Sequence, residues 1–119
     1  MAASGIIILT TVNASFDARA FARQLVEARL CACVNIVDRV TSVYRWKDGI
    51  EEDGEQLLVI KTIGDRIDEL EEKIRELHPY EVPEFVVIPL GRISEEYRRW
   101  LAECSRDLEL SDSALSSSS

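Results

Sequence analysis

An alternating stretch that is overlong for an ordinary strand constrains this chain more than any other feature. Between positions 32 and 46 the even residues Val34, Ile36, Val40, Tyr44 and Trp46 are mostly apolar, whereas Asn35, Arg39, Thr41 and Arg45 point the other way. A repeat of two marks a strand with one buried face. Lys47-Asp48-Gly49 then reads as a turn, with Gly49 supplying a positive φ. A returning strand is predicted over 57–63, behind the polar stretch 51–55. Strands usually run about five or six residues, so this hairpin outreaches the rest of its own domain.

The flanking segments supply the other elements. A β-branched run over 5–12 is the first strand, and Asn13-Ala14-Ser15 offers a cap for a helix over 16–30. That helix carries Ala18, Phe21, Ala22, Leu25 and Ala28 on one face, with Arg19, Arg23 and Arg29 off it. Gly64-Asp65 caps a second helix whose apolar positions are Ile67, Leu70, Ile74 and Leu77. Its outer face offers Glu69 with Lys73 and Glu71 with Arg75 at helical spacing. Pro79 ends it, because a proline drives the preceding residue out of the helical region. A last strand over 84–90 leads to a third helix opening at Ser94-Glu95-Glu96, with Tyr97, Trp100, Leu101 and Cys104 on one side.

The order β-α-β-β-α-β-α predicts an α+β domain of the ferredoxin-like split βαβ kind, an antiparallel sheet with both crossover helices on one face. That leaves the second face uncovered. Yet Leu57 and Val59 are as apolar as Leu58 and Ile60 between them, which points to burial of both faces, most simply by self-association.

Composition narrows the function classes. A chain of 119 residues suits one domain over 1–110, and the Ser-rich stretch 111–119 is too poor in apolar residues to pack. A net charge of -8 and a pI near 4.7 repel a nucleic-acid backbone. The apolar run at 6–9 is far too short to span a membrane. Three cysteines make no disulfide framework and favour a reducing compartment, the cytoplasm.

Residues able to carry chemistry are few. His78, the single histidine, stands in His78-Pro79-Tyr80-Glu81-Val82-Pro83-Glu84, where two prolines stiffen the path. It reads either as a ligand or metal site, or as a rigid link whose imidazole meets the last helix carbonyls. Cys31 and Cys33 could offer two thiols on one side of a strand, or serve as small buried hydrophobes. The acidic run 51–55 lacks the pattern of a calcium loop and reads as a solvated strand end. Lys61, a cation inside an apolar strand, calls for a partner. Tyr44 and Trp46 near the hairpin tip favour an interface or cleft. No nucleophile elbow, phosphate loop or histidine relay is present, so nothing calls for an enzyme.

The motifs Ala32-Cys33-Val34-Asn35-Ile36-Val37, Thr41-Ser42-Val43-Tyr44-Arg45-Trp46, Ile50-Glu51-Glu52-Asp53 and the His78–Glu84 segment together resemble the CutA divalent-cation tolerance proteins. The resemblance implies a homotrimer whose long hairpins pair between subunits, similar in architecture to the PII signalling trimers. It also implies a role in tolerance to copper and other divalent metals. By position, it places Cys33, Asn35, Tyr44, Trp46, Lys61, Tyr80 and Glu84 at inter-subunit clefts for a small ligand, with His78 as the metal residue. A copper set of one Cys and two His in some relatives falls here on Thr10, Leu77 and His78. An acylphosphatase-like hydrolase with an anion site at the 13–19 loop, and a trimeric scaffold, are the competing readings.

Overall fold

The computed structural model describes residues 4–108; the stretch 111–119 read as a tail lies outside them. Strand β1 (Gly5–Asn13) is followed by helix α1 (Ala18–Glu27) and by strands β2 (Cys33–Trp46) and β3 (Gly49–Ile63). A 3-10 turn at Gly64–Arg66 then leads to helix α2 (Ile67–Leu77), strand β4 (Val86–Pro89) and helix α3 (Glu95–Ser105). The sheet order is β2-β3-β1-β4, with every neighbouring pair antiparallel.

Alternation in β1 divides the sheet into two faces. Ile6, Ile8, Thr10 and Val12 are buried, and Ile7, Leu9, Thr11 and Asn13 are half-buried on the other side. The inner face joins Leu58 and Ile60 of β3 to Phe21 and Leu25 of α1 and to Leu70 and Ile74 of α2. Each such side chain contributes about 1.5–3 kcal/mol on burial. The outer face carries Ile7, Leu9, Leu57 and Val59, edged by Val37, Val86 and Ile88, which stay 40–46% exposed. Helix α3 closes only the Gly5 end of it. A Cβ on Gly5 would stand 3.1 Å from Leu101 Cδ2 and 3.2 Å from Leu90 Cδ1, so glycine permits that close approach.

Helix ends differ from the sequence reading. Asp17, not Ser15, caps α1, its carboxylate accepting the Ala20 N–H at 3.1 Å, while Ser15 Oγ accepts from the Asn13 side chain. The helix then stops early, leaving Ala28 exposed, because Arg29 turns to φ 59° and Leu30 N–H bonds back to Leu25 O. Gly64 and Asp65 form the 3-10 turn, and no side chain caps α2. Glu71 pairs with Arg75 at 3.0 Å as expected, but Glu69 pairs with Arg66 and Lys73 with Glu76. On α3 the Ser94 hydroxyl caps Tyr97 N–H, and Leu101 is buried. Tyr97 and Trp100 are exposed instead, their rings 5.4 Å apart.

The hairpin carries the largest correction. The acidic stretch is part of β3, which runs for 15 residues. Lys47 takes the positive φ of the turn, 55°, and no glycine does. Along the ladder Val37 faces Leu57 and Val40 faces Glu55, so Asp38 and Arg39 share one partner, Gln56. This is a β-bulge, with Arg39 at φ 59°. One extra residue reverses the parity of everything after it. Val34 and Ile36 pair with Ile60 and Leu58 on the inner face, whereas Val40 and Tyr44 pair with Glu55 and Glu51 on the outer one. The even positions of β2 therefore do not share a face. Past Asn13–Glu55 no third strand continues, and six pairs, Thr41–Gly54 to Trp46–Gly49, project as a two-stranded ribbon. The molecule measures 61 by 29 by 23 Å in consequence.

A candidate cleft on the open sheet face

The connection after α2 is held by its histidine. The helix stops at Leu77, and His78 is already extended, with φ -69° and ψ 139°, as Pro79 requires. Its ring is 8% exposed and meets Phe21 edge-on. Nδ1 accepts the Tyr80 N–H at 3.0 Å, and Nε2 stands 2.9 Å from Thr11 O and 3.1 Å from Thr10 Oγ1. A carbonyl oxygen only accepts, so the proton sits on Nε2. Burial lowers the His78 pKa below its usual value, against the bond to Thr11, which favours the charged form. The imidazole meets β1, not the helix carbonyls.

Tyr80 then turns over the outer face. Its ring lies edge-on to His78, and its hydroxyl donates to Glu55 Oε2 at 2.6 Å. Glu55 is 9% exposed, so the expectation of a solvated strand end fails at this residue. Beside it the Tyr44 hydroxyl bonds Asp53 Oδ2. That bond, with surrounding carboxylates, pushes the Tyr44 pKa up to about 12; burial and the bond to Glu55 raise Tyr80 as well.

Between ribbon and loop opens a cleft of about 580 Å³. Thr11, Ser42, Tyr44, Trp46 and Glu55 line it from the strands, and Tyr80, Glu81, Val82 and Glu84 from the loop. The bulge is what brings Tyr44 to this face beside Glu55. Of the expected site residues, Tyr44, Trp46, Tyr80 and Glu84 thus come together, with His78 behind Tyr80. Cys33, Asn35 and Lys61 do not join them. Cys33 sits opposite Lys61, with its Sγ 3.9 Å from Asn35 Oδ1, on the same outer face. Lys61 lies six positions along β3 from Glu55, about 20 Å of extended chain.

The two other thiol and metal readings are answered by burial. Cys31 precedes β2 and lies wholly in the core, where burial pushes its thiol up to about 12, so it offers no thiolate beside Cys33. Thr10 is buried, Leu77 packs on the core and both nitrogens of His78 are engaged, so these three positions do not fit a copper ion. Among the described residues no group of three His, Cys, Asp or Glu side chains could hold a metal. The anion site of the hydrolase reading fails because the Asp17 carboxylate occupies the start of α1. The residue missed from sequence is Glu55. Its position two before Leu57, in step with Val59 and Lys61, was the available signal.

An α+β domain with a four-stranded antiparallel sheet, one open apolar face and a projecting hairpin is the class that fold and cleft define. Residues 6–104 match the family model of the CutA1 divalent ion tolerance protein, and the chain belongs to that family. The divalent-cation tolerance protein CutA of Thermus thermophilus is 46% identical over 97 residues, covering 82% of this chain and 94% of that one. Protein CutA of the mouse is 41% identical over 98 residues, covering 82% of this chain and 55% of its own longer sequence. Among solved structures, CutA1 from Oryza sativa superposes with a TM-score of 0.85 at 33% identity, covering 89% of this chain and 97% of that chain. The Thermus thermophilus protein gives 0.82 at 44% identity, over 86% and 99%.

Proposed function

We propose that this chain works as a homotrimer without enzymatic activity, which binds a divalent cation, copper among them, or a small ligand at clefts between subunits and serves divalent-cation tolerance. One observation carries the reading. The expected site residues fall into two groups on one open sheet face, Tyr44, Trp46, Tyr80 and Glu84 at one end and Cys33, Asn35 and Lys61 at the other. A single chain holds them about 20 Å apart, and a second copy docked on this face supplies one group to the other. The strand order β2-β3-β1-β4 supports the ferredoxin-like arrangement, whose open face a neighbour's ribbon can cover. Exposed Trp46, on the outer face of that ribbon, gains burial in the same step.

In this assembly His78 positions Tyr80 and is not itself a ligand. Three free thiols suit a reducing, cytoplasmic setting, and among the described residues no helix is long and apolar enough to cross a membrane. Sedimentation velocity at micromolar concentration tests the assembly. The expected species has three times the 13.5 kDa chain mass, and a monomer sinks the reading.

A further inference from the structure

Two charged side chains of β3, Glu55 and Lys61, have no opposite charge in ion-pair contact among the described residues. Both lie on the open sheet face. Glu55 is 9% exposed, and a carboxylate so buried is normally paired with a cation. Here its Oε2 accepts one hydrogen bond, from the neutral Tyr80 hydroxyl at 2.6 Å. His78, behind Tyr80, is held toward its neutral form by burial. Lys61 is half-buried, between Ile7 of β1 and Cys33 of β2.

The two groups cannot meet within one chain. Six positions of extended strand hold them about 20 Å apart, farther than both side chains reach together. Docking makes each need sharper. A second copy on the open face can only lower the exposure of Glu55, and it takes Lys61, flanked by Ile7 and Val59, out of water as well. Either charge left single in such a contact is strongly unfavourable. Pairing one with the other, between copies, removes both penalties. In a closed ring of three, every copy gives its Lys61 to one neighbour and receives a lysine at Glu55 from the other. Glu81 and Glu84 beside the cleft are exposed and solvated, so they have no such need.

We propose that Lys61 of a second copy is the counter-ion of Glu55, so that a charge pair between subunits completes the cleft. This rests on the trimeric reading above and adds the contact that joins its two groups of residues. The ammonium donates to the Glu55 carboxylate oxygen that Tyr80 leaves free, while Oε2 keeps the Tyr80 hydroxyl.

A double-mutant cycle on trimer dissociation tests the pair, read by sedimentation of the full chain across a dilution series, with circular dichroism as the control for folding. Glu55→Gln and Lys61→Met each strand one charge. Each is expected to raise the half-dissociation concentration about tenfold or more. The two changes together strand none, and are expected to recover most of that loss. Within one chain, sites this far apart have additive effects, so recovery reports a contact between chains. Should Lys61→Met fail to fold, Lys61→Gln runs the same cycle. Additive losses in an intact trimer overturn the pair and leave the assembly standing, as does a trimer that neither change weakens. A parent chain that sediments as a monomer overturns the pair together with the trimeric reading.

Discussion

The imidazole Nε2 of His78 lies 2.9 Å from the carbonyl oxygen of Thr11, and its Nδ1 accepts the N–H of Tyr80 at 3.0 Å. The last residue of the α2 exit is thereby fastened to β1 on one side and to the cleft wall on the other. This works only while the ring is neutral, since an imidazolium has no lone pair for Tyr80.

A pH dependence follows with a definite sign. Burial lowers the folded pKa of His78 below the unfolded value of about 6.5. Below that value the unfolded chain takes up a proton that the folded chain refuses. Stability is therefore full above about pH 6.5 and falls as pH drops through the window down to the folded pKa. As the single histidine, His78 can be followed by proton NMR, and urea unfolding of His78→Gln should lack this slope. A ring that titrates at or above 6.5 refutes the latch.

The Tyr80–Glu55 bond predicts a stability cost, and the Tyr44–Asp53 bond a spectroscopic shift. Tyr80→Phe leaves a carboxylate with 9% exposure without its donor, for about 1–3 kcal/mol. Denaturant titration reads that loss. Asp53→Asn removes the main cause of the raised Tyr44 pKa. Near pH 11, about one unit above an ordinary tyrosine, the variant should show more phenolate absorbance than the parent.

Most of the fold was legible because periodicity reports which face a residue uses, and element order followed from it. The hairpin faces were not. A bulge adds one residue without changing composition, and here its left-handed position is Arg39 and not a glycine, so no turn residue marks it. Reading even positions straight through from Val34 to Trp46 put Tyr44 on the wrong side. The cleft was half legible: Tyr44, Trp46, Tyr80 and Glu84 were named, but Glu55 was lost in a run of acids whose other members are exposed. A single strand gives no way to see that a loop 25 residues later, at Tyr80, folds over one of them.

The bulge makes its own test. Inserting one residue between Glu55 and Gln56 gives Asp38 and Arg39 a partner each, restores a continuous ladder and turns Tyr44 and Trp46 to the inner side of the ribbon. The core cluster, which includes neither residue, should still fold. Loss of trimer and of ligand binding together, with native circular dichroism, is the expected result. Retention of both shows that the ribbon face has no role.

Arg29 couples two helix ends. It holds a left-handed backbone, φ 59°, after α1, and its guanidinium donates to the carbonyls of Glu103 and Arg106 at the end of α3. Arg29→Ala keeps the strained backbone and loses both bonds, at an expected cost of about 1–3 kcal/mol by thermal or urea unfolding. A change within 0.5 kcal/mol, about the ordinary surface value, shows that solvent replaces them.

Val86 separates the isolated chain from the assembly. It lies on the outer sheet face opposite Leu9 and is 46% exposed. In a monomer, Val86→Glu is a surface change, within about 0.5 kcal/mol. In a trimer that buries this face, each copy carries a carboxylate into an apolar contact, and an unpaired charge there costs several kcal/mol. The two cases give opposite results in one sedimentation experiment. Dissociation of Val86→Glu to folded monomers places the interface on this face; a trimer that tolerates the charge places it elsewhere and separates the Lys61 end from the Glu55 cleft.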